Sequence, residues 1–387
     1  LCQWLINAIN ILTGNFDRAG GAMFTSPAFD LLHTSKGGDI YNRWQSRVRR
    51  LPEFMGELPV AALAEEIETE GREQIKALIT SCGNPVLSTP NGARLNAAMG
   101  KLEFMVSIDI YLNETTRHAN LILPPVTNLE SSHYDIIFNT FAVRNTAKYS
   151  GPLFVKDPNA KHDWEIFQEL VHRLAGKAEP LKAEPPEVKL SMALAFGKYQ
   201  LSLDKLKESL HGIDLGELQP CLPDRLMTAE KRIDLAPEIL VNDLERLRRE
   251  PESAANGDFP FSLIGRRHLR DCNSWMHNSE LLMKGKNRCT LMMSTADAER
   301  LNLRDGQTVR VTSRVGSVEL PLEVTENIGD GVVSIPHGYG HKRSGAKLDV
   351  ADKHAGVSIN DLTDETVLDD LTGNAAFCSV RVKVELS

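Results

Sequence analysis

The sequence lacks the spacings and runs that identify several common classes of protein. Its six cysteines are scattered and never stand as CxxC, so they form no recognisable zinc or iron–sulfur ligand set. It has no apolar run of roughly 18 residues, the length that spans a bilayer. The Walker, GxSxG, HExxH and GxGxxG signatures are also absent. These absences argue against the simplest assignments and disfavour an ordinary NAD-dependent dehydrogenase.

Basic residues are outnumbered, with 44 Lys and Arg against 52 Asp and Glu and a formal net charge of −8. This balance argues against a nucleic-acid partner, which needs a concentrated basic face. We interpret the one arginine cluster, Arg47, Arg49 and Arg50, as a solvated charged loop. Scattered, unpaired cysteines favour a reducing compartment. We therefore expect a cytoplasmic protein with no nucleic-acid partner and no membrane span.

The chain opens with LCQWLINAINILTGN, whose apolar residues share one helical face up to Gly14. It has no initiator Met and no charged region typical of a signal peptide. A sequence that starts inside a helix is expected to be a fragment of a longer protein.

Two β-rich runs, Ala77–Thr80 and Phe104–Ile108, flank a helical segment, and 120–123 reads as a third strand. The first two runs end in the small polar clusters Gly83-Asn84-Pro85 and Ser107-Ile108-Asp109. Ligands of open α/β sheets bind outside the carboxyl ends of the strands. This arrangement predicts a nucleotide site that lacks the usual glycine fingerprint.

Two details of this unit favour a ligand, and each has a plainer alternative. Pro90 suits the first position of a helix capped by Ser88 or Thr89, whose free N–H groups could hold phosphate. The alternative is an unoccupied turn. Asp109 could accept hydrogen bonds from a ribose or a guanine edge, or be a solvated carboxylate.

The middle of the chain reads as helical. Asp163–Leu174 is amphipathic, with Ile166, Phe167, Leu170 and Val171 predicted to face inward. Further helical segments are predicted at 186–210 and 237–250, after a charged linker with Pro180, Pro185 and Pro186. A boundary at 250–260 completes a predicted division into 1–180, 181–257 and 258–387.

The last segment predicts a small barrel. Its six β runs are FSLIGR, TLMMS, TVRVTSR, GSVELPLEVTE, GVVSIP and CSVRVKVEL, separated by glycine turns. The loop GRRH after the first run and the motif NSWMHN offer arginine, amide and hydroxyl groups that suit a polyanionic ligand. A surface cluster explains them equally well.

The loop PHGYGH contains His337 and His341. Histidines at this spacing would bind a metal on a helix, but the two intervening glycines argue against one. A loop that approaches a flat ligand is the favoured interpretation.

These pieces, in their order along the chain, resemble the C-terminal half of the molybdopterin oxidoreductases. The resemblance is to the dimethyl-sulfoxide-reductase superfamily and is formate-dehydrogenase-like. The pieces that support it are TGNFDRAGGAMF, ALITSCGNPVLSTPN, VSIDIYLNETTRHANLILPP, DWEIFQELVHRL, LIGRR, NSWMHN and the segment from ADAERLNL to PHGYGH.

The resemblance implies an α/β fold, with part of a Rossmann-like parallel-sheet domain followed by a C-terminal six-stranded double-psi β-barrel. It implies a cofactor, bis-(molybdopterin guanine dinucleotide) with molybdenum. By match to the family, Gly83, Asn84, Ser107 and Asp109 would bind the guanosine-diphosphate end. The residues expected against the pterins are Gly265, Arg266, Ser274, Trp275, His277, Asn278, His337, Asn360 and Asn374.

The family's [4Fe-4S] cysteines and its molybdenum ligand are expected upstream of this chain, so no catalytic residue or metal ligand is assigned here. We expect the chain alone to be inactive. Its partners would be the remainder of the same polypeptide or subunit and an electron-transfer protein. The alternative function is a non-catalytic nucleotide- or protein-binding module built on a double-psi barrel.

Overall fold

The computed structural model describes residues 1–31, 40–179, 181–249 and 257–387. These form two compact units, each built from two separate segments. The helical unit contains the described residues of Leu1–Gly38 and Pro125–Pro251, and the sheet–barrel unit those of Asp39–Pro124 and Glu252–Ser387. Pro180 and most of the predicted 250–260 boundary lie outside the described residues. The division of the sequence at 180 and 257 stays a prediction.

The helices are α1 (Cys2–Leu12), α2 (Leu63–Glu68), α3 (Pro85–Ser88), α4 (Gly92–Met99), α5 (Asp163–Leu174), α6 (Pro186–Phe196), α7 (Leu203–Glu208), α8 (Glu238–Arg249), α9 (Glu280–Met283) and α10 (Thr295–Arg300). The strands are β1 (Tyr41–Gln45), β2 (Pro52–Phe54), β3 (Ala77–Ser81), β4 (Phe104–Ile108), β5 (Leu121–Ile122), β6 (His133–Tyr134), β7 (Asn145–Ala147), β8 (Tyr149–Ser150), β9 (Ile213–Gly216), β10 (Phe261–Arg266), β11 (Leu291–Met293), β12 (Thr308–Thr312), β13 (Ser317–Val324), β14 (Val332–Pro336) and β15 (Val380–Leu386). None of the helices in the described ranges has the length and apolar character needed to cross a membrane.

The helical unit buries its core between α6, α7 and short strands. The buried residues are Ala28, Ala147, Leu190, Leu194, Leu201, Leu203 and Leu206. Helix α5 has its predicted bounds, but its predicted inward face is wrong. Only Ile166 is buried, whereas Phe167 and Val171 are 40% and 66% exposed. Periodicity shows which residues share a face, but whether another element covers that face depends on tertiary packing.

In the sheet–barrel unit, β3, β4 and β5 form a parallel sheet in that order, as the sequence predicts. Helices α2 and α4 supply Ile67, Leu95 and Met99 to the core against this sheet. The parallel direction places the carboxyl ends of β3 and β4 at the same edge, because Thr80 pairs with Ser107.

The predicted helix start at Pro90 is wrong. Helix α3 begins earlier, at Pro85 after Asn84, and Thr89 Oγ1 donates to Pro85 O (2.8 Å) instead of capping. Helix α4 begins at Gly92 after Asn91, whose φ is 49° and whose side chain accepts from Arg94 N. Proline fits the first turn of a helix at Pro85 as well as at Pro90, and spacing alone did not separate the two positions.

The solvated-loop interpretation of the arginine cluster is also wrong. Arg49 Nε lies 2.6 Å from Glu65 Oε1, and Arg47 Nε lies 3.3 Å from Glu66 Oε2. Both arginine side chains are less than a quarter exposed. They fix the segment after β1 to α2, because a half-buried guanidinium needs an acceptor.

The barrel is closed and follows the order β10-β14-β11-β13-β12-β15. The pairs β10–β14 and β11–β13 are parallel and the others antiparallel. This confirms the predicted six-stranded barrel. Alternating residues of β12 and β15, such as Val309, Val311, Val382 and Val384, are at most 3% exposed and fill the interior.

Gly340 lets the loop after β14 approach Ser358. Its φ is +109°, and a Cβ there would lie 2.7 Å from Ser358 Cβ. Gly285 has a similar φ of +107° but nothing within 4 Å of a built Cβ.

We expect Gly285→Ala to lower the free energy of unfolding by about 1–3 kcal/mol through backbone strain. Gly340→Ala should cost about 1–3 kcal/mol more through the clash, measured by urea unfolding. Equal losses for the two variants would show that the close approach is unimportant.

Candidate functional site

The predicted nucleotide end lies at the carboxyl edge of the parallel sheet. Asp109 follows β4 and is 9% exposed. Its Oδ1 accepts from Tyr111 N (2.9 Å) and its Oδ2 from Asn113 Nδ2 (3.2 Å). Burial raises the pKa of this carboxyl above its usual value, against these hydrogen bonds. Each carboxylate oxygen keeps a second lone pair with which it can accept from a ligand.

Ser107 lies within the sheet instead of at its open edge. It is fully buried, and its Oγ lies 2.8 Å from Thr80 Oγ1 on the neighbouring strand. Gly83, by contrast, lies in the partly exposed turn between β3 and α3. Asp109 and Gly83 are therefore better placed than Ser107 to contact a ligand directly.

Asn84 connects the sheet edge to the barrel. Its Nδ2 donates to Glu114 Oε2 (2.7 Å) and lies 3.5 Å from Ser274 Oγ, while its Oδ1 accepts from Thr115 Oγ1 (2.7 Å). Asn84 and Ser274 are 190 residues apart in the sequence. The structure thus places residues of the two predicted half-sites next to each other within the sheet–barrel unit.

Ser274 precedes a short 3-10 helix, Trp275–Asn278. Trp275 is 49% exposed, whereas His277 is fully buried. Asn278 Oδ1 accepts from Val350 N (3.1 Å) and holds the loop after β14 in place. Trp275 presents a flat apolar surface, and the other side chains of the motif support the loop.

Arg266 uses its guanidinium within the barrel. It donates to Ser334 O (2.7 Å), Arg288 O (3.0 Å), Thr290 O (3.0 Å) and Thr290 Oγ1 (2.8 Å). Burial lowers the pKa of this guanidinium. Its neighbour Gly265 leaves ordinary contact distance, 3.7 Å, between a built Cβ and Ile359 Cδ1. These contacts indicate that Arg266 anchors strand ends beside the candidate site.

An open cavity of about 350 Å³ lies beside these loops. It is lined by Arg267, His268, Leu269, Asp271, Cys272, Asn273, Met276 and His337. Burial and the nearby Arg267 lower the pKa of His337 to about 4, so its imidazole is neutral at pH 7. A neutral imidazole can both donate and accept, and Arg267 adds a cation. With the Asp271 carboxylate also in its lining, the cavity suits a ligand that both donates and accepts hydrogen bonds.

The two remaining predicted residues differ in their surroundings. Asn360 is 1% exposed, and its Nδ2 donates to Leu87 O (2.7 Å), which joins the barrel to α3. Asn374 lies in an exposed turn where its Nδ2 donates to Thr372 Oγ1 (3.1 Å). Whether either residue contacts a ligand stays a prediction.

A buried row of four ionisable side chains lies beside the site, and two of them, Glu114 and Asp271, were not predicted from the sequence. Glu114 Oε1 lies 2.9 Å from His341 Nδ1, and His341 Nε2 lies 2.9 Å from His277 Nδ1. His277 Nε2 lies 3.2 Å from Asp271 Oδ1. The polar cluster after Asp109 was a signal for Glu114, but its partner His341 is 227 residues away. Within the described ranges, no group of three or more His, Cys, Asp or Glu is arranged to hold a metal ion.

Acid should destabilise the protein through His277 and His337. Burial, and then the neighbouring His341, lower the pKa of His277 from 6.5 to about 4, and the pKa of His337 also falls to about 4. The unfolded chain then binds protons first, so the free energy of unfolding should fall between about pH 6.5 and 4. His337→Gln should reduce the slope of the unfolding free energy against pH by up to the contribution of one bound proton. Urea unfolding across the pH series measures this slope. An unchanged slope would contradict the neutral state of His337.

Two family models match the chain. Residues 2–173 match "Molybdopterin oxidoreductase", and residues 261–381 match "Molydopterin dinucleotide binding domain". The second match covers the closed barrel from β10 to the start of β15.

Relatives and a solved structure agree with these matches. "Probable oxidoreductase YoaE" of Bacillus subtilis is 25% identical over 80% of this chain and 44% of the relative. "Probable oxidoreductase YyaE" of the same species is 24% identical over 98% of this chain and 55% of the relative. The chain thus spans about half the length of these curated relatives. The structure of acetylene hydratase from Pelobacter acetylenicus shares the fold, with a TM-score of 0.67 and 17% identity over 87% of this chain and 47% of that one.

Proposed function

We propose, because this chain belongs to the molybdopterin oxidoreductase family, that it is the cofactor-binding part of a molybdenum-dependent oxidoreductase. The proposed cofactor is bis-(molybdopterin guanine dinucleotide). The molybdenum ligand and a [4Fe-4S] cluster would come from residues outside this sequence. The observation that supports the proposal is the contact of Asn84 with Ser274, which joins the two predicted halves of a dinucleotide site.

The donor set fits such a cofactor at both ends. At the sheet edge, Asp109 is an acceptor for the ring N1–H and the amino group of a guanine. In the cavity, Arg267 and His337 can donate to phosphate or to pterin carbonyl groups, and the Trp275 ring is exposed nearby in sequence. Buried polar atoms without a hydrogen-bond partner, such as Asp271 Oδ2 beside the cavity, also favour a polar ligand there.

When bound, the cofactor would supply the two-electron or oxygen-atom transfer, as cofactors generally do. This chain's residues would bind and orient it. Asp109 and Asn84 would fix the nucleotide end, and His337 the pterin end. Arg266 and Asn278 would keep the surrounding loops in position.

We expect His337→Ala to reduce cofactor occupancy in the cofactor-loaded enzyme that contains this chain. The variant should fold, because His337 lies at the cavity wall and outside the barrel core. The measurement is molybdenum and released pterin per mole of purified protein, with circular dichroism to confirm folding. A matched control is His354→Ala, an exposed histidine of the same unit. Equal molybdenum and pterin content in both variants would refute the role of His337 and weaken the proposed function.

A further inference from the structure

The side chains of Glu114, His341, His277 and Asp271 form a continuous, buried row of contacts, called the four-residue row below. Glu114 and His277 are fully buried, and Asp271 and His341 are 3% and 5% exposed. Its three gaps measure 2.9, 2.9 and 3.2 Å. Asp271 also lines the cavity, so one end of the four-residue row opens on the candidate cofactor site.

The number of protons held by the four-residue row decides how many of its three contacts are hydrogen bonds. Each gap joins two atoms with lone pairs, so each needs one proton to be a hydrogen bond. Two neutral imidazoles and two carboxylates bring only two protons for three gaps. A third proton fills the last gap. Without it, His277 Nε2 and Asp271 Oδ1 face each other without a hydrogen bond, and among the described residues His277 Nε2 has none.

We propose that Asp271, His277, His341 and Glu114 form a proton relay that takes up and releases this third proton at the cavity. In the loaded state His341 carries protons on both nitrogens and His277 carries one on Nε2. Transfer then moves the Nε2 proton of His277 to Asp271 Oδ1 while the Nε2 proton of His341 moves to His277 Nδ1. The relay ends with neutral His341, His277 protonated on Nδ1, and a carboxylic acid at Asp271 that can lose its proton to the cavity.

The surrounding charges favour this assignment. At the inner end, Glu114 is held below its usual pKa, because hydrogen bonds from His341 and Asn84 outweigh the effect of burial. The positive charge of Arg117 also attracts the Glu114 carboxylate. A carboxylate there stabilises a cationic His341.

At the outer end, three groups lie near the Asp271 carboxylate. Arg288 Nη2 is 3.2 Å from Asp271 Oδ1, and His268 Nδ1 is 3.8 Å from it. His337 also senses the charge of Asp271, and its lowered pKa keeps it neutral. When the four-residue row holds three protons, the charges of its two carboxylates are neutralised by His341 and Arg288. The absence of net charge lowers the free-energy cost of burying these groups.

The first test is histidine-selective ¹⁵N NMR of the whole chain over a pH series, which reports the tautomer of each ring. We expect His277 to change from the Nε2–H to the Nδ1–H tautomer as pH rises and the third proton leaves the four side chains. A single His277 tautomer throughout the range of about pH 5–8, in which histidines normally titrate, would overturn the relay.

Asp271→Asn is the matching variant, because an amide cannot take up the proton that the Asp271 carboxylate accepts. In this variant His277 should keep a single tautomer at every pH, with circular dichroism confirming the fold. His354→Gln, an exposed histidine of the same unit, should leave the His277 switch unchanged. If Asp271→Asn shows the same switch as the parent chain, the relay is refuted.

The use of this proton in turnover rests on the proposed function, but the relay itself does not. In the cofactor-loaded enzyme, Asp271→Asn should change the pH profile of kcat and lower kcat by about 10²–10⁴-fold, the usual scale for losing a positioned proton donor or acceptor. An unchanged pH profile with full cofactor would overturn the role in turnover. Absence of molybdenum and pterin from the parent enzyme would refute the proposed function while the NMR result stands.

Discussion

Glu114→Ala should lower the free energy of unfolding by about 1–3 kcal/mol for each donor that loses its acceptor, the cost of leaving a buried polar group without a hydrogen-bond partner. Glu114 is fully buried and is the acceptor for both His341 Nδ1 (2.9 Å) and Asn84 Nδ2 (2.7 Å). Alanine would remove the acceptor of the buried His341 Nδ1 and of the partly buried Asn84 Nδ2. The measurement is urea unfolding at neutral pH.

Glu319→Ala is the matched control for this prediction. Glu319 pairs with Arg310 across β12 and β13, but the two side chains are 46% and 51% exposed. An exposed pair of this kind contributes about 0–1 kcal/mol. Similar losses for Glu114→Ala and Glu319→Ala would mean that water replaces Glu114 in the variant and that the four-residue row adds little stability.

Asp109→Ala should reduce cofactor retention by at least about tenfold for each charge-assisted hydrogen bond that is lost, at about 1.5–3 kcal/mol per bond. The effect should be larger than for a cavity-wall residue, because a carboxylate can accept two bonds from one guanine edge. Guanine nucleotide and pterin released from the purified cofactor-loaded enzyme are the quantities to measure.

Asp305→Ala controls for the loss of a carboxylate that accepts one backbone N–H. Asp305 Oδ1 accepts from Val324 N (2.9 Å) at an exposed turn before β12, outside the cavity. It should retain cofactor at the parent level. If Asp109→Ala retains as much cofactor as Asp305→Ala, the nucleotide end is not at the edge of β4.

The fold could be predicted from local signals because most elements have them. Alternating valines marked β12 and β15, and small polar clusters marked the ends of β3 and β4. The prediction was wrong where two neighbouring positions carried the same local signal. Pro85 and Pro90 both suit a helix start, and only the packing of α3 and α4 decides between them.

The candidate site was predicted in its parts but not in its connections. The sequence indicated Asn84, His277 and His341 separately, without any sign that the first meets Glu114 or that the two histidines share a hydrogen bond. Such contacts join segments 30 or more residues apart that have no common pattern. Asp271, between two candidate motifs, gave no signal at all, since a lone aspartate in a polar loop is usually a surface residue.

The contacts of Glu365 set an order of events during synthesis. This residue accepts from Asn91 Nδ2 (2.8 Å) and pairs with Arg94 (2.7 Å), although Asn91 lies 274 residues earlier in the chain. At about 5–20 residues per second on the ribosome, Glu365 is translated roughly 15–55 s after Asn91 at the start of helix α4. Throughout that time the edge of the parallel sheet is translated but incomplete. Insertion of the proposed dinucleotide at this edge is therefore expected to follow translation of the barrel.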